Sequence, residues 1–205
     1  MVNRMALAAT HQREINSRVA HKIGALKKYR WFESWKYDDG SMVYRIQNNI
    51  GTVEVTGVSA AEFRDIEFLE QCLILRHIHI NKKGRGNGKR TLHTVQKGFA
   101  DSDCVVLGWV VPMSMDDKSS DYEIIDSLDQ QKRLAKWYLK NGWQLLDVER
   151  VYAIASLVDF LDRYRGKEVV PTTIGFYGSK TPQVIKDKFD SYSIGFEEHF
   201  AKLAN

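Results

Sequence analysis

Cysteine occurs only twice in 205 residues and proline only three times. Two thiols, Cys72 and Cys104, cannot build a disulfide framework or a zinc site. Both fall in apolar, strand-like segments, where cysteine behaves as a small buried hydrophobe, so the sequence supports no redox or metal argument. With so little proline, a composition of 43% hydrophobic, 11% aromatic and 27% charged residues excludes collagen-like, mucin-like and disordered classes. Long apolar runs are missing as well. The stretch from Val105 to Pro112 falls far short of the about 20 residues of a spanning helix, and Arg4, His11 and Arg13 interrupt what a secretion signal would need to keep apolar. The expectation is a soluble, cytoplasmic domain, long enough to bury roughly 70% of the surface of its unfolded chain.

Charge is nearly balanced in sum, +4 from 30 basic and 26 acidic residues, which argues against a uniformly basic nucleic-acid coat. Its distribution is uneven. From Gln71 to Ala100 there is no acid at all, while Arg76, Lys82, Lys83, Arg85, Lys89, Arg90 and Lys97 fall there. That stretch expects an anion. From Asp101 to Asp129 the sign reverses, with Asp116, Asp117, Asp121, Glu123, Asp126 and Asp129 among the acids and Lys118 the one base. That stretch suits a cation. The N-terminal thirty residues are basic again, as the solvated face of an amphipathic helix would be.

Apolar residues Ile15, Val19, Ile23 and Leu26 recur at helical spacing, so a helix is expected over residues 11–29. Ser41 to Gln47 and Thr52 to Val58, joined by Asn48, Asn49 and Gly51, read as an antiparallel hairpin. Leu73 to Ile80 and Cys104 to Val111 read as apolar strands with a helix, Lys89 to Phe99, between them. That order is a β-α-β unit whose helix N-terminus follows a basic glycine loop. The polar stretch Met113 to Asp129 has the length of a functional or disordered loop. Gln130 to Lys140 then reads as a helix stopped by Asn141-Gly142. A further strand or two follow Trp143. Near the C-terminus, Pro182 is expected at the first position of a helix.

Lys83-Gly84-Arg85-Gly86-Asn87-Gly88-Lys89-Arg90 places three glycines in five positions directly after a strand. Glycine lets backbone N–H groups approach a ligand with no Cβ in the way, and the helix that follows adds its partial positive charge. A diphosphate fits such a cradle. A Walker A loop ending at Gly88-Lys89 would need glycine at Lys83 and Ser or Thr at Arg90. A dinucleotide GxGxxG would need glycine at Lys89 or Thr91. Neither pattern is met.

The loop resembles the pantetheine-diphosphate loop of the GNAT superfamily of N-acetyltransferases, Arg or Gln, two residues, Gly, one residue, then Gly or Ala. Lys83 replaces the planar Arg or Gln and keeps a charge without the fork. A second family pattern, an Asn-x-x-Ala-x-x-x-Tyr-x-x-x-Gly-Phe-like helix and strand start, is similar to the run from Gln131 to Trp143. Tyr138, Gly142 and the following aromatic match, with Gln131 in place of Asn and Leu134 in place of Ala. The resemblance covers roughly Ser41 to Arg150. It implies an α+β, acyl-CoA N-acyltransferase fold: a central mixed, mostly antiparallel sheet flanked by helices, with one parallel, splayed strand pair. Residues 1–205 then form a single GNAT-like domain with a core of about 41–150, an N-terminal helix over 11–29 and a C-terminal extension over 151–205.

The same resemblance implies that acetyl-CoA inserts between the two splayed strands. Backbone of Ile78, His79 and Ile80 would pair with the pantetheine. Lys83, Gly84, Arg85, Gly86, Asn87, Gly88, Lys89 and Gln131 complete the cofactor residues. An alkylamine with a pKa near 10.4 is neutral in only about one molecule per thousand at pH 7.4, so attack on the thioester needs a proton acceptor or a water chain. Period-two alternation puts Ile78, Ile74 and Cys72 on the active-site face, with Glu70 at its start as the preferred base. His77 and His79 then lie on the opposite face, and become candidates if the strand carries a bulge. Tyr138 is by resemblance the phenol that protonates the departing thiolate. No metal is expected. The acceptor is an amine, a cationic one if the acidic stretch overhangs it. A second class stays open, a nucleic-acid-binding or nucleic-acid-modifying protein that grips phosphates with its basic loop and N-terminal helix. A homodimer stays open too.

Overall fold

The computed structural model describes residues 13–14, 16–18, 20–21, 31–36, 42–47, 50–57, 62–64, 68, 72–80, 84–115 and 122–202. In chain order these form β1 (Trp31–Lys36), β2 (Met42–Gln47), β3 (Gly51–Gly57), β4 (Cys72–Ile80), α1 (Asn87–Phe99) and β5 (Val105–Trp109). Next come β6 (Met113–Met115), β7 (Tyr122–Ile124), α2 (Leu128–Lys140), β8 (Gln144–Leu146), α3 (Val148–Val151) and α4 (Ile154–Asp162). The chain closes with β9 (Thr173–Tyr177), α5 (Gln183–Ser191) and α6 (Phe196–Lys202).

Seven strands make one sheet in the order β1-β2-β3-β4-β5-β9-β8, and every neighbouring pair is antiparallel except β4 and β5. The β4-α1-β5 unit creates that exception, because a parallel neighbour needs a crossover helix. The architecture is mixed α+β, a mostly antiparallel sheet with one parallel pair and helices around it. Strand β9, from the region expected to be an extension, inserts between β5 and β8 in the main sheet. Pairing between strands so far apart in sequence leaves no local mark on either of them.

Alternation along the strands divides the core in two. Val53, Val55, Leu73, Leu75 and Val106 face α1 and α2, where Leu92, Val95, Phe99, Ala135 and Tyr138 meet them. Cys72, Ile74, Val105 and Leu107 face the other way, onto Phe68, Val148, Phe160, Phe189 and Tyr192. Full burial of such side chains contributes about 2 kcal/mol each, so the parallel pair, apolar on both faces, is the most strongly held part of the sheet. Both cysteines are buried as free thiols.

Residues 13–14, 16–18 and 20–21 are helical, within the helix expected over 11–29, the rest of which lies outside the described residues. Asn16 ties this segment to β2, its side chain accepting from Met42 N at 3.2 Å and its carbonyl from the Tyr44 hydroxyl at 3.4 Å. The stretch expected as a long polar loop instead carries β6 and β7, paired antiparallel from Met113 with Ile124 to Met115 with Tyr122. Pro182 sits one position before the first residue of α5, as its cap. Among the described residues no helix is long and apolar enough to cross a membrane, and no cluster of His, Cys, Asp and Glu could hold a metal ion.

Candidate functional site

Strand β4 leads into the glycine loop. Lys83 lies outside the described residues; beyond it Gly84, Arg85 and Gly86 take positive φ in succession, 86°, 51° and 71°. Gly86 is the cap of α1 in the left-handed region, a conformation that glycine adopts without strain. Arg85 holds it at a cost of about 1 kcal/mol. Asn87 N donates to Gly84 O at 3.1 Å and Arg90 N to Gly86 O at 3.0 Å, so the turn folds directly into the helix. No side chain caps α1 and no acid stands in its first turn. The N–H groups of Gly88 and Lys89 meet no acceptor among the described residues. Gly88 has ordinary helical geometry, and a Cβ there would meet only Trp137 Cζ2, at a comfortable 3.7 Å. Nothing internal to the fold requires glycine at this position. A close approach from outside would.

The parallel ladder stops early. Cys72 to Leu75 pair with Val105 to Gly108, whereas His77 to Ile80 pair with β3 alone among the described strands. At that point β4 carries a bulge: Val55 pairs with Leu75 and Glu54 with His77, so Arg76 is the extra residue. One inserted residue exchanges the faces beyond it. Ile78 therefore packs with Leu73 and Leu75 on the α1 and α2 side, and not with Cys72 and Ile74 as regular alternation would have it. His77 and His79 come over to the face of Cys72 and Ile74.

A row of charged residues crosses the sheet and ends at that bulge. Arg45 on β2 stands opposite Glu54 on β3, and Glu54 opposite His77 on β4. Arg45 donates from Nε at 3.0 Å and from Nη2 at 2.7 Å, both to Glu54 Oε1. Glu54 Oε2 accepts no hydrogen bond among the described residues. Glu54 is only 7% exposed, while the Arg45 side chain keeps 38% exposure, so the carboxylate is desolvated and the guanidinium still meets water. His77 is half-buried, and burial holds its pKa below the ordinary histidine value; the Glu54 carboxylate pulls it up, Arg76 and Arg45 push it down. The ring is therefore neutral at pH 7.

The remaining expected site residues divide. Tyr138 lies in the core beside α1, its ring edge-on to Trp137 at 4.9 Å and to Trp143 at 5.4 Å. Burial raises the pKa of its phenol, which keeps the proton on it throughout the working range. Gln131 is wholly buried. Its Nε2 donates to Val110 O at 2.8 Å and also to Val170 O, and its Oε1 accepts from Val170 N at 2.9 Å. That amide is committed inside the fold, as a staple between α2 and the chain entering β9. Glu70 lies outside the described residues, as do Asp116, Asp117 and Asp121. Asp126 accepts from Val169 N at 3.1 Å, a structural use of one acid from the acidic stretch.

Ile78, His79 and Ile80 occupy the part of β4 beyond the parallel ladder, and Gly84 to Lys89 follow at its end. The structure thus brings together the unladdered half of β4, the loop and the start of α1. Arg45 and Glu54 were not anticipated from the sequence. Counting outward from Gln47 and Thr52, the ends of the expected hairpin strands, would have set them opposite each other. No family model matches the chain, and no curated protein or solved structure is significantly similar to it.

Proposed function

We propose that the chain is an acetyl-CoA-dependent N-acetyltransferase of the GNAT kind, transferring an acetyl group directly to an amine in a ternary complex. The observation that carries the reading is the open start of α1, three positive-φ residues and two N–H groups without acceptors among the described residues, beyond a strand whose parallel ladder stops half way. Gly84 to Lys89 would hold the diphosphate with backbone N–H groups and the helix end, with Arg85 and Lys89 adding charge. The backbone of Ile78, His79 and Ile80 would run beside the pantetheine. Bound there, acetyl-CoA supplies an activated acyl carbon. Tyr138, kept protonated by burial, supplies the proton that the sulfur needs on leaving.

Calorimetry with coenzyme A tests the cofactor, and a mass-shift screen of amines, peptides and charged tRNA with acetyl-CoA tests the transfer. Absence of coenzyme A binding overturns the reading. Tyr138→Phe keeps the ring and its packing but removes the proton, so coenzyme A affinity should persist while the single-turnover rate drops about a hundredfold. A parent-like rate makes Tyr138 a packing residue.

A second reading has its own observation. Exposed Lys89, Arg90, His93 and Lys97 on α1 and Arg133, Lys136 and Lys140 on α2 present a basic face, with Asp129 the one acid on either helix. Salt-steep binding of RNA or DNA without coenzyme A affinity would select that reading.

A further inference from the structure

We propose that the acceptor is an arylalkylamine, an amine carried on a flat aromatic body, and that Trp109 is the residue that selects it. The inference rests on the acetyltransferase reading and names the acceptor class of that same site. Gly108 is the last residue of β5 in the ladder with β4, and Trp109 is the next, so it stands where the two strands part. Alternation groups Trp109 with Val105 and Leu107, on the face to which the bulge brings His77 and His79. That face is opposite to α1 and α2. A thioester reaching the gap from the glycine loop would be open to an acceptor there.

The surroundings of Trp109 are aromatic and fixed. Its Nε1 donates to the Tyr152 hydroxyl, and its ring lies 6.1 Å from that of Phe160, tilted by 35°. Tyr152 is stacked between Phe63 at 5.0 Å and Phe160 at 4.8 Å, and Tyr164 meets Phe160 edge-on at 5.4 Å. Phe63, Tyr152 and Phe160 are buried, whereas Trp109 and Tyr164 are only partly so. The aromatic wall thus ends in two rings that keep surface to offer, one on β5 and one just beyond α4. Ring pairs in offset or edge-on contact are favourable beyond the apolar area they bury, and a ring already held in place loses little freedom when a second is laid on it. A polycation would find little to bind in the same place. The described charges that act on His77 and Tyr152 are Arg45 and Arg76 against Glu54 and Glu62, and with the imidazole neutral they cancel. An arene bearing one amino group fits this wall better than a chain of several.

Turnover of four amines with acetyl-CoA tests the class: 2-phenylethylamine and tryptamine against hexylamine and spermidine. Both aromatic amines should exceed both aliphatic ones in kcat/KM by about fivefold or more, with the difference in KM. Trp109→Leu keeps an apolar side chain without the ring and should erase that ratio, while coenzyme A affinity by calorimetry persists. Trp109→Phe keeps a ring, loses the bond to Tyr152 and should retain most of the ratio. Ligand-observed NMR of 2-phenylethylamine with the coenzyme A complex needs no turnover. Saturation transfer to the aromatic protons should be clear in the parent and weak in Trp109→Leu, and the parent alone decides the matter if that variant does not fold. Equal or higher kcat/KM for hexylamine or spermidine, absence of arene contact in the parent, or an equal fall for all four amines in Trp109→Leu overturns the assignment. Trp109 is then a packing residue, and the acetyltransferase reading stands. Failure of coenzyme A to bind overturns both readings.

Discussion

Helices α1 and α2 are matched in several respects. Each has 13 residues and both pack on the same face of the sheet, α1 following β4 and α2 following β5 after the β6-β7 pair. Their N-termini are opposites. In α2 the Ser127 side chain accepts from Gln130 N, Asp129 complements the helix dipole, and Gln131 binds Val110 and Val170. In α1 the cap is a left-handed glycine, the first turn has no acid, and two N–H groups have no acceptor among the described residues. A side-chain cap contributes about 1 kcal/mol and a first-turn acid a few tenths more, and α1 forgoes both. The contrast shows that the open end is a property of this loop and not of the fold, since the same sheet closes the neighbouring helix fully.

The largest effect expected from breaking the contrast is at the closed end. Gln131→Ala leaves the carbonyls of Val110 and Val170 and the N–H of Val170 in a dry interior without their partner, together with a cavity. Stability should fall by about 3 kcal/mol in denaturant unfolding. Coenzyme A affinity of the folded variant should be unchanged. A selective loss of that affinity would return Gln131 to the cofactor site, where the resemblance to the acetyltransferases puts it, and would end the division between a closed and an open helix.

At the open end the prediction is inverted. Gly88→Ala meets no internal obstacle, and alanine is the better helix former by up to about 1 kcal/mol, so the melting temperature should hold or rise. The added Cβ stands where a diphosphate would come close, so coenzyme A affinity should fall about tenfold, or about 1.4 kcal/mol. Ser127→Ala is the counterpart at α2: about 1 kcal/mol of stability lost, with affinity untouched. Loss of both properties in either variant would mean that the two ends are not separate in function.

Local signals made much of this legible. The sequence expectations for α1 and α2 fall within two residues of the observed ends, because three glycines open one helix and Asn141-Gly142 stop the other. The hairpin of β2 and β3 followed from its turn. The bulge did not, because Arg76-His77-Ile78-His79 alternates acceptably in either register and only the pairing with β3 decides it. That single residue reassigns the faces of Ile78, His77 and His79. The internal bonds of Gln131 were hidden for a related reason: its position on α2 could be counted, but the carbonyls it binds arrive from residues 110 and 170, at long range. The row from Arg45 to His77 lay between these cases, half of it fixed by the hairpin and half by the bulge.

The smallest effect sharpens the contrast through pH. The closed end of α2 continues from Gln131 to Thr172, whose hydroxyl is 2.8 Å from Nε2 of the buried His199 on α6. Burial holds the His199 pKa below its ordinary value; Asp147 pulls it up and Lys202, which binds Asp147 at 2.9 Å, pushes it down. A ring that resists protonation in the folded chain and accepts it in the unfolded one gives the unfolded state the extra proton. Its contribution to stability is therefore complete above the ordinary histidine value of about 6.5 and declines as pH falls through that value toward the lower folded one. Thermal melts at pH 8 and pH 5.5 should show a larger loss for the parent than for His199→Gln, whose side chain has no proton to gain and can still reach Thr172. Equal losses would mean that His199 titrates alike in both states, and that the closed end of α2 is indifferent to pH.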